Sequence, residues 1–139
     1  MDYRQFRDRF MLRIDKGEEI VQVLKKFCQD NSIRLGTVTG IGAAGKVTLG
    51  LFDTQTKKYH SNEYTGDYEI CPLTGNITTM KGEVYLHLHA NIGDKDNKSI
   101  SGHLNSATVS ATFEAVIDVV DGNLEREFSK EIGLNLYKF

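Results

Sequence analysis

The chain has 139 residues, with 17 basic against 19 acidic side chains, a formal net charge of −2 and a mean hydropathy of −0.36. A chain of this length buries a core without disulfides or a structural metal, so one domain spanning residues 1–139 is expected. The charges are dispersed, and no basic block is present to track a phosphate backbone, which removes the usual electrostatic footprint of a nucleic-acid binder.

Two cysteines, Cys28 and Cys71, form no framework and fit a reducing compartment. The N-terminus lacks the apolar core of a signal peptide, and no run of about 18 apolar residues marks a membrane span. No membrane partner and a cytoplasmic location are therefore the expectations.

In chain order, Arg9 to Ile14 alternates with Phe10, Leu12 and Ile14 on one side, which predicts a first strand. Asp15 then stands as the cap of a helix from Glu18 to about Asp30, in which Ile20, Val21, Leu24, Phe27 and Cys28 recur at helical spacing. Acidic residues in its first turn suit the positive end of the helix dipole. Ile33–Gly40 and Lys46–Phe52 read as two strands joined across Gly40-Ile41-Gly42-Ala43-Ala44-Gly45. That link lacks the Lys-Ser or Lys-Thr ending of a phosphate-binding loop and precedes a strand, so a tight bend or close backbone packing is expected there.

Tyr59–Tyr64 reads as an edge strand, Gly66–Leu73 as another ending near Pro72, and Thr74–Met80 as a third. Lys81-Gly82 is a two-residue hairpin connection into Glu83–Asn91. Asn91 to Ser101 is polar and expected to be a mobile loop. In Ala107–Val120 the odd positions Ala107, Val109, Ala111, Phe113, Ala115, Ile117 and Val119 share one face. Asp121-Gly122 predicts a hairpin turn that returns the chain through Leu124, Arg126 and Phe128, before a last strand with Leu134, Leu136 and Phe139. The fold class is α/β in the α+β sense: a mainly antiparallel sheet with one principal helix on a face.

The chemistry concentrates in Glu83–Asn91. Strand side chains alternate, so Val84, Leu86, Leu88 and Ala90 make an apolar side while His87 and His89 share the polar one. If the chain folds back, His103 comes within ligand distance of both. Neutral imidazoles suit zinc at about 2.0 to 2.1 Å, and three protein ligands leave a position open for water. Such a zinc lowers the pKa of bound water toward about 7 and acts as a Lewis acid. Affinity is expected to fall as pH drops through histidine values near about 6.5. Glu69 and Glu114 are candidates for orienting the ligands or moving a proton. His60 stands alone and reads as a surface residue, and Cys28, on the apolar stripe of the helix, as a packed one.

The run Gly66-Asp67-Tyr68-Glu69-Ile70-Cys71-Pro72-Leu73-Thr74-Gly75-Asn76, the His87-Leu88-His89 strand and Gly102-His103-Leu104 resemble the signature segments of the PPC domain, a family of plants and prokaryotes. Gly17-Glu18-Glu19 and Gly40-Ile41-Gly42 also fit, so the resemblance spans nearly all of residues 8–139. It implies an α/β fold on a largely antiparallel sheet, a homotrimer, and a divalent metal, usually zinc, on the histidines that here are His87, His89 and His103. It also implies the label of predicted DNA-binding protein, inherited from plant nuclear proteins in which the domain follows AT-hooks. This chain has no AT-hook, and Ser101-Gly102-His103 replaces the usual Gly-Gly-His. Asp67 and Tyr68 stand where plant members tend to carry the Arg of a Gly-Arg-Phe-Glu-Ile core.

Three function classes follow: a trimeric metal-binding regulatory or ligand-binding module, a metal-dependent enzyme acting on a small substrate through zinc-activated water, and a structural trimerisation module without chemistry.

Overall fold

The computed structural model describes residues 1–139. Its strands are β1 (Asp2–Phe6), β2 (Arg9–Asp15), β3 (Gly36–Asp53), β4 (Lys58–Met80), β5 (Glu83–Gly93), β6 (Ser99–Val119), β7 (Arg126–Ser129) and β8 (Leu134–Tyr137), and its one helix is α1 (Ile20–Asp30). Strands β1 to β6 form an antiparallel sheet in the order β1-β2-β6-β3-β4-β5, and β5 also pairs with the start of β6. That extra pairing closes β3, β4, β5 and β6 into a ring whose interior is apolar. No helix is long and apolar enough to cross a membrane.

Alternation explains the sheet. In β2, Phe10, Leu12 and Ile14 are buried and their neighbours exposed, as the sequence pattern requires. The buried core unites Ile14, Ile20, Leu24, Val38, Ile70, Ile77, Leu88, Ile92, Phe113 and Ile117 with smaller apolar side chains from every long strand. α1 lies across β5 and β6 with Ile20, Leu24, Phe27 and Cys28 buried beneath it. Burial pushes the Cys28 thiol up to about 12, so it packs as a small apolar group.

Several expectations are corrected. The helix cap is Glu19, not Asp15: the Glu19 carboxylate accepts from the Val21 and Gln22 amides at 3.1 and 2.7 Å and from the Ala107 amide of β6 at 2.9 Å. Asp15 instead ends β2 and pairs with the N-terminal ammonium and with Arg13. The helix opens at Ile20, so its first turn has no acidic residue.

The glycine link is no turn. β3 runs 18 residues straight through it, absorbing register shifts between Gly40 and Gly42 and between Ala44 and Lys46. Close packing is the reason, because a Cβ on Gly40 would stand 2.5 Å from the Phe113 ring. Likewise β4 is one strand of 23 residues, irregular between Ile70 and Leu73, rather than three.

Asn91–Ser101 is mostly ladder: Asn91 faces Ser101, Ile92 faces Ile100 and Gly93 faces Ser99. The turn between them is held by the Asp94 carboxylate, which accepts from the Asp96 and Lys98 amides at 2.9 Å each. The turn at Asp121-Gly122 does not return the chain along β6, because β2 and β3 already occupy both edges there. The chain crosses instead to the far end of β4, and β7 pairs with β8 as a separate two-stranded sheet. On β6 the apolar face breaks at Ala111, which is exposed where the register with β3 shifts.

Candidate metal centre

His89 and His103 are direct register partners on the antiparallel pair β5–β6, and His87 sits two residues before His89 on the same face, opposite Asn76 of β4. Register thus brings two strands' histidines to one point. One ligand nitrogen from each imidazole lies within 4.8 Å of the others. The ring centroids form a near-equilateral triangle of 5.2, 5.3 and 5.5 Å. Three imidazole nitrogens at this separation fit around one divalent ion, a donor set suited to zinc, copper, nickel or iron rather than to calcium or magnesium.

The histidines form the floor of a cavity of about 710 Å³. Tyr59 makes one wall, with its ring 6.2 Å from that of His103 and its hydroxyl donating to Asn105 at 2.6 Å. Gly50 and Gly102 allow the approach, since a Cβ on Gly50 would overlap the Tyr59 ring and one on Gly102 would lie 2.8 Å from the Gly50 carbonyl oxygen. The lining also includes Tyr85, Arg126 and Tyr137, with Leu134, Asn135 and Leu136 of β8. No aspartate or glutamate lines the space.

Glu69 and Glu114 lie elsewhere. Glu69 is exposed and faces Gly93, while Glu114 lines a separate cavity of about 540 Å³ with Arg4 and Arg13. His60 is exposed on β4. Arg126, Asn76, Tyr85 and Tyr137 join the site without having been expected there. The signal for Arg126 lay in the alternation Leu124, Arg126, Phe128, where a charge occupied a position patterned for burial.

His103 is pushed down to about 4, first by burial of its charged form and then by His87 and His89. His87 is also lowered, by burial first, then by Arg126 and His89. Both imidazoles thus favour the neutral form, the form that can act as a ligand. The folded chain refuses protons that the unfolded chain accepts near about 6.5. Stability from this source is complete above that value and is lost as pH falls toward 4. In urea titrations of metal-free protein, the drop in midpoint between pH 7 and pH 4.5 should be smaller for His103→Gln than for wild type. An equal or larger drop in the variant contradicts this.

The sequence profile of the Plants and Prokaryotes Conserved (PCC) domain matches residues 1–121. The chain belongs to this family. A candidate DNA-binding protein of Bacteroides thetaiotaomicron is 36% identical, with 99% of this chain and 96% of that one covered and a TM-score of 0.97. A metal-containing protein of Archaeoglobus fulgidus is 29% identical over 99% of this chain and 97% of its own, with a TM-score of 0.88. A plant- and prokaryote-conserved protein of Pyrococcus horikoshii is 27% identical, with 99% and 95% covered and a TM-score of 0.87. Among curated proteins no match was found. The mostly antiparallel sheet with one short helix is thus the architecture this PCC-domain protein has in common with its relatives.

Proposed function

We propose that this PCC-domain protein is a homotrimeric regulatory module that holds one divalent ion, zinc before others, on His87, His89 and His103, with an open position facing the cavity. The observation that carries the reading is the convergence of three imidazole nitrogens within 4.8 Å at the base of a cavity. The Archaeoglobus relative described as metal-containing supports it. Bound there, the ion supplies a Lewis-acidic position able to take water or a small anion. The chain's own part is to hold the His87 and His103 imidazoles neutral, through burial, and to wall the position with Tyr59, Tyr85 and Tyr137. Elemental analysis of protein purified without added metal tests this. About one zinc or other transition ion per chain is the expected result, and none after loading with zinc overturns it.

The regulatory part rests on the family and on the Bacteroides neighbour described as a candidate DNA-binding protein. With a formal charge of −2, direct duplex binding is expected to be weak and steeply salt-dependent. Submicromolar affinity for duplex DNA at physiological salt, measured by fluorescence anisotropy, contradicts that expectation. The trimer draws support from exposed apolar side chains, among them Ile41 at 62%, Leu51 at 66% and Phe128 at 58%. Light scattering at micromolar concentration should give three chains, and a stable monomer rules the assembly out. A metal-dependent enzyme is the second reading, favoured by the roomy cavity beside the open position, and its sign is turnover abolished by chelator.

A further inference from the structure

Arg126 is 7% exposed, yet none of the structure's ion pairs includes it. A buried charge without a counter-charge is costly, and protein interiors keep one only where something compensates for lost water. Here the compensation is partial. Nε donates to the Thr78 hydroxyl at 2.8 Å, and Nη1 to the Asn135 carbonyl at 2.9 Å. The Tyr85 and Tyr137 rings lie 4.9 and 4.5 Å from the guanidinium carbon, holding the cation by their faces.

Arginine carries five N–H donors in a planar fork, and these two bonds leave the others free of protein side-chain acceptors. The supports are themselves fixed. The Thr78 hydroxyl donates on to the Tyr85 carbonyl at 3.3 Å, and the Asn135 amide donates to the Tyr85 hydroxyl at 3.3 Å. Arg126 therefore has one orientation, on the wall of the same cavity whose floor is the histidine cluster and whose lining holds no acid.

We infer that Arg126 is the anion receptor of this cavity, and that the cavity takes a small organic carboxylate whose charged end meets the guanidinium fork while its body lies among apolar side chains. A carboxylate matches the fork bidentately. Lysine is absent from the lining, and Leu51, Phe52, Leu134, Leu136 and the tyrosine rings offer an apolar body its contacts, which suits an organic acid better than bare phosphate. Because Arg126 and the three histidines line one cavity, a 2-hydroxy or 2-oxo acid offers a second oxygen to an ion held by the histidines. The receptor role rests on Arg126 alone, whereas the contribution of a second oxygen rests on the metal reading proposed above.

The test is calorimetry on the full chain with 2-hydroxyisocaproate and its uncharged amide, each titrated into metal-free and zinc-loaded protein. The acid should bind about tenfold or more tightly than the amide in both forms, the ratio expected for a charge-assisted pair. Inorganic phosphate should bind more weakly than the acid. Arg126→Gln should abolish the preference for acid over amide, and Arg126→Lys should keep only part of it. The wild-type comparison does not depend on any variant folding. Equal binding of acid and amide, no binding of either, or tighter binding of phosphate overturns the inference. Failure of zinc to bind, with the preference intact in metal-free protein, defeats the metal reading and leaves the receptor standing.

Discussion

Alanine at His87, His89 or His103 should abolish tight binding of a divalent ion while leaving the chain folded. In the proposed site each histidine would supply one of three ligands, and two imidazoles with water make a poor site for zinc. The fold does not depend on the ion, because the core of Ile14, Ile70, Ile77, Leu88, Phe113 and their neighbours closes without reaching the histidine face. Zinc content of purified variants, read beside circular dichroism, decides the point. Wild-type zinc content in all three variants would falsify the site, and loss of fold in all three would make the metal structural.

The second large effect is expected at Phe113. Its side chain has no exposed surface and its ring rests on Gly40, filling the space that the glycine leaves open. Phe113→Ala should lower stability by about 3 to 5 kcal/mol, the range for truncating a buried aromatic ring. Ala111, two residues earlier, belongs to the same odd-numbered series but is exposed. Ala111→Ser should stay within about 0.5 kcal/mol of wild type, as surface changes do. Equilibrium unfolding in urea separates the two, and comparable losses would mean that Ala111 is packed in the core and not exposed.

That pair of residues also illustrates what could be read in advance. Period-two alternation put His87 and His89 on one face and Phe10, Leu12 and Ile14 on the other kind of face, since strand geometry leaves no choice. The third histidine depended on a fold-back, and the chain achieves it by a tight hairpin rather than by a loop. Alternation fails where a bulge inserts a residue, and neither the shift at Ala111 nor the unbroken course of β3 through its glycines leaves a local mark. The path after Asp121-Gly122 was hidden for a different reason. A turn motif states that the chain reverses, but whether the neighbouring edge is free depends on β2 and β3, which are distant in sequence.

The helix cap shows the same limit. Asp15 and Glu19 are both acidic residues near the start of α1, and the choice between them is made by the Ala107 amide, which the Glu19 carboxylate also reaches. The N-terminal ammonium, 2.8 Å from Asp15, draws that side chain away. Arg126 was the larger omission. Its role requires Tyr85 and Tyr137, which come from β5 and β8, to stand on either side of it.

X-ray absorption at the zinc edge, on full-length protein loaded with one equivalent of zinc, tests the central claim most directly. The account predicts a first shell of three imidazole nitrogens at about 2.0 to 2.1 Å with one further light atom. A spectrum indistinguishable from that of aqueous zinc, or a shell containing sulfur at about 2.3 Å, would contradict it.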